Sequence, residues 1–172
     1  MILIGLGANI PHPELGDPVN TLTEAVRKLA KSIQISRQSS WYRSAPVPIS
    51  DQPWFVNGVI SIETEMAATA VLNFLHGIER EFGRFRRQKW EARVLDLDLL
   101  TFHDQVSENQ DQLAGAVLPH PYIQDRAFVL APIMEIAPEW HHPVSGKCAR
   151  DLLEMLPSEQ AFDVIGAFDS RS

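Results

Sequence analysis

An α+β sandwich is what this chain predicts, and three observations carry the prediction. Apolar spacing alternates between strand and helix periods in the order strand, helix, strand, strand, helix, strand, the split βαβ arrangement of ferredoxin-like sandwiches, βαββαβ. The 172 residues, 45% of them apolar, suffice for one core, so a single domain spanning 1–172 is expected. Beyond that unit the pattern continues, adding C-terminal helices and a last strand.

The elements follow from local residue chemistry. Residues 1–7 form an apolar β-like run ended by Gly5, Gly7 and Asn9, and Pro11 to Pro18 reads as loop. Leu22, Ala25, Val26, Leu29, Ala30 and Ile33 recur at helical spacing, with Lys and Arg on the other face. Residues 33–43 read as one extended segment, and three prolines between Ser44 and Pro53 exclude regular structure there. Phe55 to Glu63 alternates as a strand; Val71, Leu72, Leu75, Ile78 and Phe82 mark a second amphipathic helix, stopped near Gly83. A basic loop and a strand bearing Asp96 and Asp98 come next. The tail then offers an exposed excursion at 105–116, a helix from Arg126 to Ile136 stopped before Pro138, a short helix from Arg150 to Leu156, and a strand from Ala161 to Phe168.

Composition narrows the function classes. The start MILIGLGANI has no basic leader, and no stretch approaches the roughly 20 apolar residues of a membrane span. One cysteine, Cys148, excludes an internal disulfide and fits a reducing compartment, so a cytoplasmic protein without membrane association is expected; a monomer is expected as well. A formal charge of -7 argues against general nucleic-acid binding, which needs a basic face across the domain.

The most informative segment is 84–100. Side chains two apart in a strand share a face, so Asp96 and Asp98 point one way while Leu95, Leu97 and Leu99 point the other. Their apolar flanks, with Leu100 and Phe102, suggest a central strand, where an aspartate without a cation would be expensive. Just upstream, Arg84, Arg86, Arg87, Lys89 and Arg93 gather five of the fifteen Lys and Arg residues. Paired carboxylates beside such cations suit Mg²⁺ and a polyphosphate, because Mg²⁺ takes one or two carboxylates plus substrate phosphates and arginines neutralise the remaining charge. The same cations argue against a glycosidase-type acid and base pair, since they hold both aspartates ionised. Trp90 among the cations suggests a lid that covers a ring while arginines grip phosphates.

Other features are less specific. Gly5-Leu6-Gly7-Ala8-Asn9 lacks the third glycine of a dinucleotide fingerprint; it reads either as a tight turn or as backbone left bare for a flat ligand. Asn57 offers an amide able to pair with a donor and acceptor edge of a heterocycle. His120, between two prolines, reads in isolation as a loop histidine, and the adjacent His141 and His142 as structural.

Taken together, GLGAN at 5–9, WYRSAPV at 41–47, DQPWFVN at 51–57, IEREFGRFR at 78–86, ARVLDLDLL at 92–100 and LPHPYIQDRAFVL at 118–130 resemble, in content, order and spacing, the 6-hydroxymethyl-7,8-dihydropterin pyrophosphokinases of folate biosynthesis. The resemblance implies transfer of the β,γ-pyrophosphoryl group of ATP to the pterin hydroxymethyl group, with release of AMP. It implies two Mg²⁺ ions on Asp96 and Asp98, and a pterin between Phe55 and Phe128. The pterin's polar edge would be read by Asn57 and the backbone around Ser44, Ala45 and Val47, with Gly7 against the ring and Trp90 closing over it. Arg84, Lys89, Trp90, Arg93, His120 and Arg126 are implied on the ATP side, with Arg84 and Arg93 joining the aspartates in catalysis. The lid departs from the family pattern: Trp90-Glu91-Ala92-Arg93 stands where Trp-Gly-Pro-Arg is usual, and Lys89 stands where an arginine is common.

Two rivals come from other classes. A palm-type nucleotidyltransferase also joins strand-end glycine to Asp-x-Asp, but needs the motifs close in sequence and a third carboxylate. An RNA-binding sandwich needs aromatic rings across the sheet, and here a carboxylate pair replaces one of them.

Overall fold

The computed structural model describes residues 1–83, 93–107 and 117–166. Its strands are β1 (Ile2–Ala8), β2 (Gln34–Gln38), β3 (Trp41–Ser44), β4 (Phe55–Glu63), β5 (Asp96–Phe102) and β6 (Phe162–Gly166). The helices are α1 (Pro18–Leu29), α2 (Ala68–Glu81), α3 (Ala127–Ile136) and α4 (Ala149–Glu154). The sheet runs β5-β1-β4-β3-β6, with β2 continuing the β3 side of β4, and every pairing is antiparallel. This is the expected βαββαβ order, with β2 and β3 together filling one strand position and β6 added outside them.

The sheet is covered on both faces because β1 is apolar on both. Ile2, Ile4, Leu6 and Ala8 pack with α1 and α2 residues such as Leu22, Leu29, Leu75 and Ile78, while Leu3 packs beyond the other face with Ile123, Leu130, Ile133 and Leu152. On that second face the β1 series runs Leu3, Gly5, Gly7, so side-chain volume falls away toward the strand's C-terminal end. Where it falls away, the floor of a cavity opens. Among the described residues no helix is long and apolar enough to cross a membrane.

Four expectations need correction. The first helix begins earlier than its apolar spacing suggests, because the Asp17 carboxylate accepts from the Val19 N–H at 2.8 Å and Pro18 takes the first helical position, where no N–H is needed. It also ends sooner: Ile33 is buried, but on the turn leading into β2. The extended segment 33–43 is two strands, broken where the Ser39 hydroxyl accepts from the Val59 N–H and the Glu135 carboxylate of α3 takes the Ser40 N–H and hydroxyl. Gly5 and Gly7 lie inside β1 rather than at a turn. Finally, the aspartate strand β5 is at the end of the sheet order and not central. Its apolar residues are buried by layers above and below, Leu97 and Leu99 toward the α1/α2 core and Leu100 toward the other. The outer edge is closed in part by the buried Glu79 carboxylate, which accepts the Leu97 N–H at 2.9 Å.

The remaining elements lie close to expectation: α2, α3 and α4 match within a few residues, and the last strand is described over Phe162–Gly166. Residues 108–116 of the expected excursion, and 167 and 168 of the last strand, lie outside the described residues.

Candidate functional site

The site is built as two rows across three strands. Register places Gly7 between Asn57 of β4 and Asp96 of β5, and Gly5 between Val59 and Asp98. All six share the sheet face toward α3, and all six line a cavity of about 170 Å³. A Cβ on Gly7 would stand 3.3 Å from Asn57 Oδ1, and one on Gly5 would stand 3.3 Å from a Leu100 methyl, so bare backbone at these positions leaves the floor low. Of the two readings of the glycine motif, the cavity favours backbone left open for a ligand.

The cavity has two chemically different ends. At one, Ala45, Pro46, Val47, Phe55 and Phe128 give an apolar wall, with Asn57 among its polar contacts. The Asn57 amide is buried and its Nδ2 donates to Ser44 Oγ at 2.9 Å, which fixes the direction of the amide. Ser44 itself does not line the cavity; it acts from behind Asn57. At the other end Arg93, Asp96, Asp98 and Arg126 face the same space. The Arg93 guanidinium pairs with the Asp96 carboxylate. Arg126, at the N-terminus of α3, has its guanidinium 5.0 Å from the Tyr122 ring and 5.7 Å from the Phe128 ring, within cation–π reach of both, and Asp98 attracts its charge.

His120 adjoins this end. Burial lowers its pKa from the ordinary histidine value, opposed by the attraction of Asp98 and reinforced by Arg126. Its Nδ1 accepts the Tyr122 N–H at 3.2 Å, so the neutral ring carries its proton on Nε2 as a donor. Arg84, Lys89 and Trp90, together with Arg86 and Arg87, lie outside the described residues.

Among the described residues there is no group of three or more His, Cys, Asp or Glu side chains able to cage a metal ion. Among the described residues, Asp96 and Asp98 are the carboxylates that line the cavity, which leaves room in a cation's shell for water and a ligand. That is the habit of Mg²⁺, and the donor set, two hard carboxylates on one face of an open cavity, fits it.

Sequence reasoning passed over Asn9 and Gln52. Asn9 is buried and bonds to Arg93, Gln52 and Pro53, and Gln52 lines the cavity. A polar residue directly after an apolar strand was the available signal for Asn9; Gln52, in a proline-rich loop, gave none.

The comparisons agree with this geometry. The model of the 7,8-dihydro-6-hydroxymethylpterin-pyrophosphokinase (HPPK) family matches residues 3–138. A 2-amino-4-hydroxy-6-hydroxymethyldihydropteridine pyrophosphokinase of Synechocystis is 39% identical over 90% of this chain and 75% of its own. One from Methylorubrum extorquens is 37% identical over 89% of this chain and 91% of its own. Among solved structures, the Plasmodium falciparum HPPK-DHPS triple mutant with STZ-DHP superposes with a TM-score of 0.68 at 14% identity, over 89% of this chain and 42% of that one. That likeness shows the fold, and this chain spans under half the length of the HPPK-DHPS chain. With a family model over most of the sequence and such relatives over nearly all of it, the chain belongs to the 7,8-dihydro-6-hydroxymethylpterin-pyrophosphokinase family.

Proposed function

We propose that this chain transfers the β,γ-pyrophosphoryl group of ATP to 6-hydroxymethyl-7,8-dihydropterin, giving AMP and the pterin pyrophosphate, a step of folate biosynthesis. The observation that carries the reading is the pair of cross-strand rows. They set an amide at one side of a single cavity and two carboxylates at the other, and Arg93 and Arg126 line the same cavity. A flat heterocycle at the first end would point a substituent toward a polyphosphate at the second.

In this reading Phe55 and Phe128 flank the ring, and Asn57, aligned by Ser44, pairs with its polar edge, with Ala45 and Val47 beside it. The hydroxymethyl oxygen attacks the β-phosphorus and AMP leaves, so the protein's task is alignment and charge stabilisation rather than covalent chemistry. Arg93 and Arg126 face the phosphates, and neutral His120 donates through Nε2. Asp96 and Asp98 would hold Mg²⁺, two ions by analogy with the family, which when bound neutralise phosphate charge. Arg84, Lys89 and Trp90 complete the nucleotide side in the same analogy. The single cysteine supports a cytoplasmic setting, and we read the chain as a monomer acting on small molecules, without nucleic acid or membrane.

The test is to incubate the protein with ATP, Mg²⁺ and 6-hydroxymethyl-7,8-dihydropterin and separate the products. AMP with pterin pyrophosphate is expected. ADP would mean an ordinary kinase, inorganic pyrophosphate a nucleotidyltransferase, and no turnover a binding module.

A further inference from the structure

Asn9 stands one residue beyond β1, only 2% exposed, and its polar groups reach in two directions. Toward β5, Oδ1 accepts the Arg93 N–H at 2.6 Å while the Asn9 N–H donates to the Arg93 carbonyl at 2.9 Å, so the Arg93 main chain is held on both polar groups. Toward the 45–54 loop, Nδ2 donates to Gln52 Oε1 and to the Pro53 carbonyl, both at 3.2 Å. Arg93 carries the guanidinium paired with Asp96. Gln52 and Pro53 close the loop that leads into Phe55 and Asn57, and Gln52 faces the cavity. One buried amide thus ties the ring end of the cavity to its phosphate end.

We propose that Asn9 is a positioning residue coupling the two substrates, an inference that rests on the pyrophosphoryl-transfer reading. A ring seated against the loop fixes Gln52, Gln52 fixes the Asn9 amide, and Asn9 holds the Arg93 main chain so that Arg93 and Asp96 meet the triphosphate in register. Linkage makes the effect reciprocal: nucleotide at Arg93 tightens the ring end equally.

Asn9→Asp separates the two sides. It keeps an acceptor for the Arg93 N–H but removes both donors and sets a carboxylate against two oxygens. By calorimetric titration of 6-hydroxymethylpterin and a non-hydrolysable ATP analogue with Mg²⁺, each ligand should tighten the other at least about fivefold in the wild type, the low end of usual coupling. In Asn9→Asp the coupling should fall to within about twofold of none, each ligand alone binding within about threefold of wild type. Asn9→Ser, which lacks the reach to Gln52, gives the same test if the aspartate variant does not fold. Hydrogen exchange supplies a readout that a merely structural role would not move: pterin alone should slow exchange of the Arg93 amide in the wild type and not in the variant. Coupling that survives Asn9→Asp, or is absent from the wild type, overturns the inference. Failure of the wild type to form AMP would instead overturn the functional reading, so the two failures are distinguishable.

Discussion

Ser44→Ala removes a hydroxyl that does not line the cavity, yet it should weaken pterin use. Ser44 and Asn57 are 2% and 5% exposed, and the bond between Asn57 Nδ2 and Ser44 Oγ is 2.9 Å long. With the hydroxyl gone, the Asn57 amide either keeps its direction with a buried donor unsatisfied, or turns and presents oxygen and nitrogen exchanged to the ring. Leaving a buried donor without a partner costs about 1–3 kcal/mol. Rotation escapes that cost in the free protein, but it must be reversed when the ring binds, so the cost moves into binding. At about 1.4 kcal/mol per decade, pterin affinity should fall about 5- to 150-fold. Initial rates of AMP formation at varied pterin and saturating ATP read this as a raised KM for pterin, with the KM for ATP within about twofold of wild type. A melting curve on the same variant separates the alternatives. An unchanged pterin KM, with or without a loss of Tm, would refute the reasoning, because the Asn57 amide would then keep its direction without the hydroxyl.

Three further outcomes follow from other parts of the molecule. Asp98→Asn keeps shape and loses charge at the phosphate end; kcat should drop about 10²- to 10³-fold or more while pterin binding without nucleotide stays close to wild type, as titration would show. Gly58→Ala would place a Cβ 2.6 and 2.8 Å from two ring atoms of Trp41, itself only 4% exposed, so overpacking should cost about 1–3 kcal/mol by denaturant unfolding. Part of that loss should return when Trp41→Leu is added, a non-additivity expected only of touching residues. His142 is buried, which lowers its pKa against an opposing pull from Asp125, and its Nδ1 accepts the Val144 and Ser145 N–H groups at 3.2 and 3.3 Å. Because the unfolded chain then binds more protons, stability should decline as pH falls from about 6.5 toward the lowered folded value and level off below it. His142→Asn, whose side-chain oxygen can accept the same N–H groups, should flatten that decline in melting temperatures measured across the range; an unchanged slope would contradict the assignment.

The sequence showed most of the fold and the shared face of the two aspartates, for identifiable reasons. Asp96 and Asp98 were legible because strand alternation alone puts them on one face, and α2 because its apolar positions recur at helical spacing. The end position of β5 was not legible: Leu97, Leu99 and Leu100 are apolar because two helical layers bury them, a pattern that a central strand shares. The break between β2 and β3 depends on Glu135, nearly a hundred residues away, so no local rule could find it. The same holds for Asn9, whose importance lies in partners at 52, 53 and 93. For Ser44 the resemblance implied only a backbone contact, and the bond from Asn57 to its hydroxyl, thirteen residues away across β3 and β4, had no signal in the local sequence.

The measurement that bears most directly on the site is a crystal structure of the protein with 6-hydroxymethylpterin and a non-hydrolysable ATP analogue. The ring should lie between Phe55 and Phe128 with its polar edge on Asn57. Its hydroxymethyl oxygen should face the β-phosphorus, and Asp96 and Asp98 should stand on the phosphate side. A ring bound outside this cavity, or a hydroxymethyl group facing the γ-phosphorus, would contradict the account.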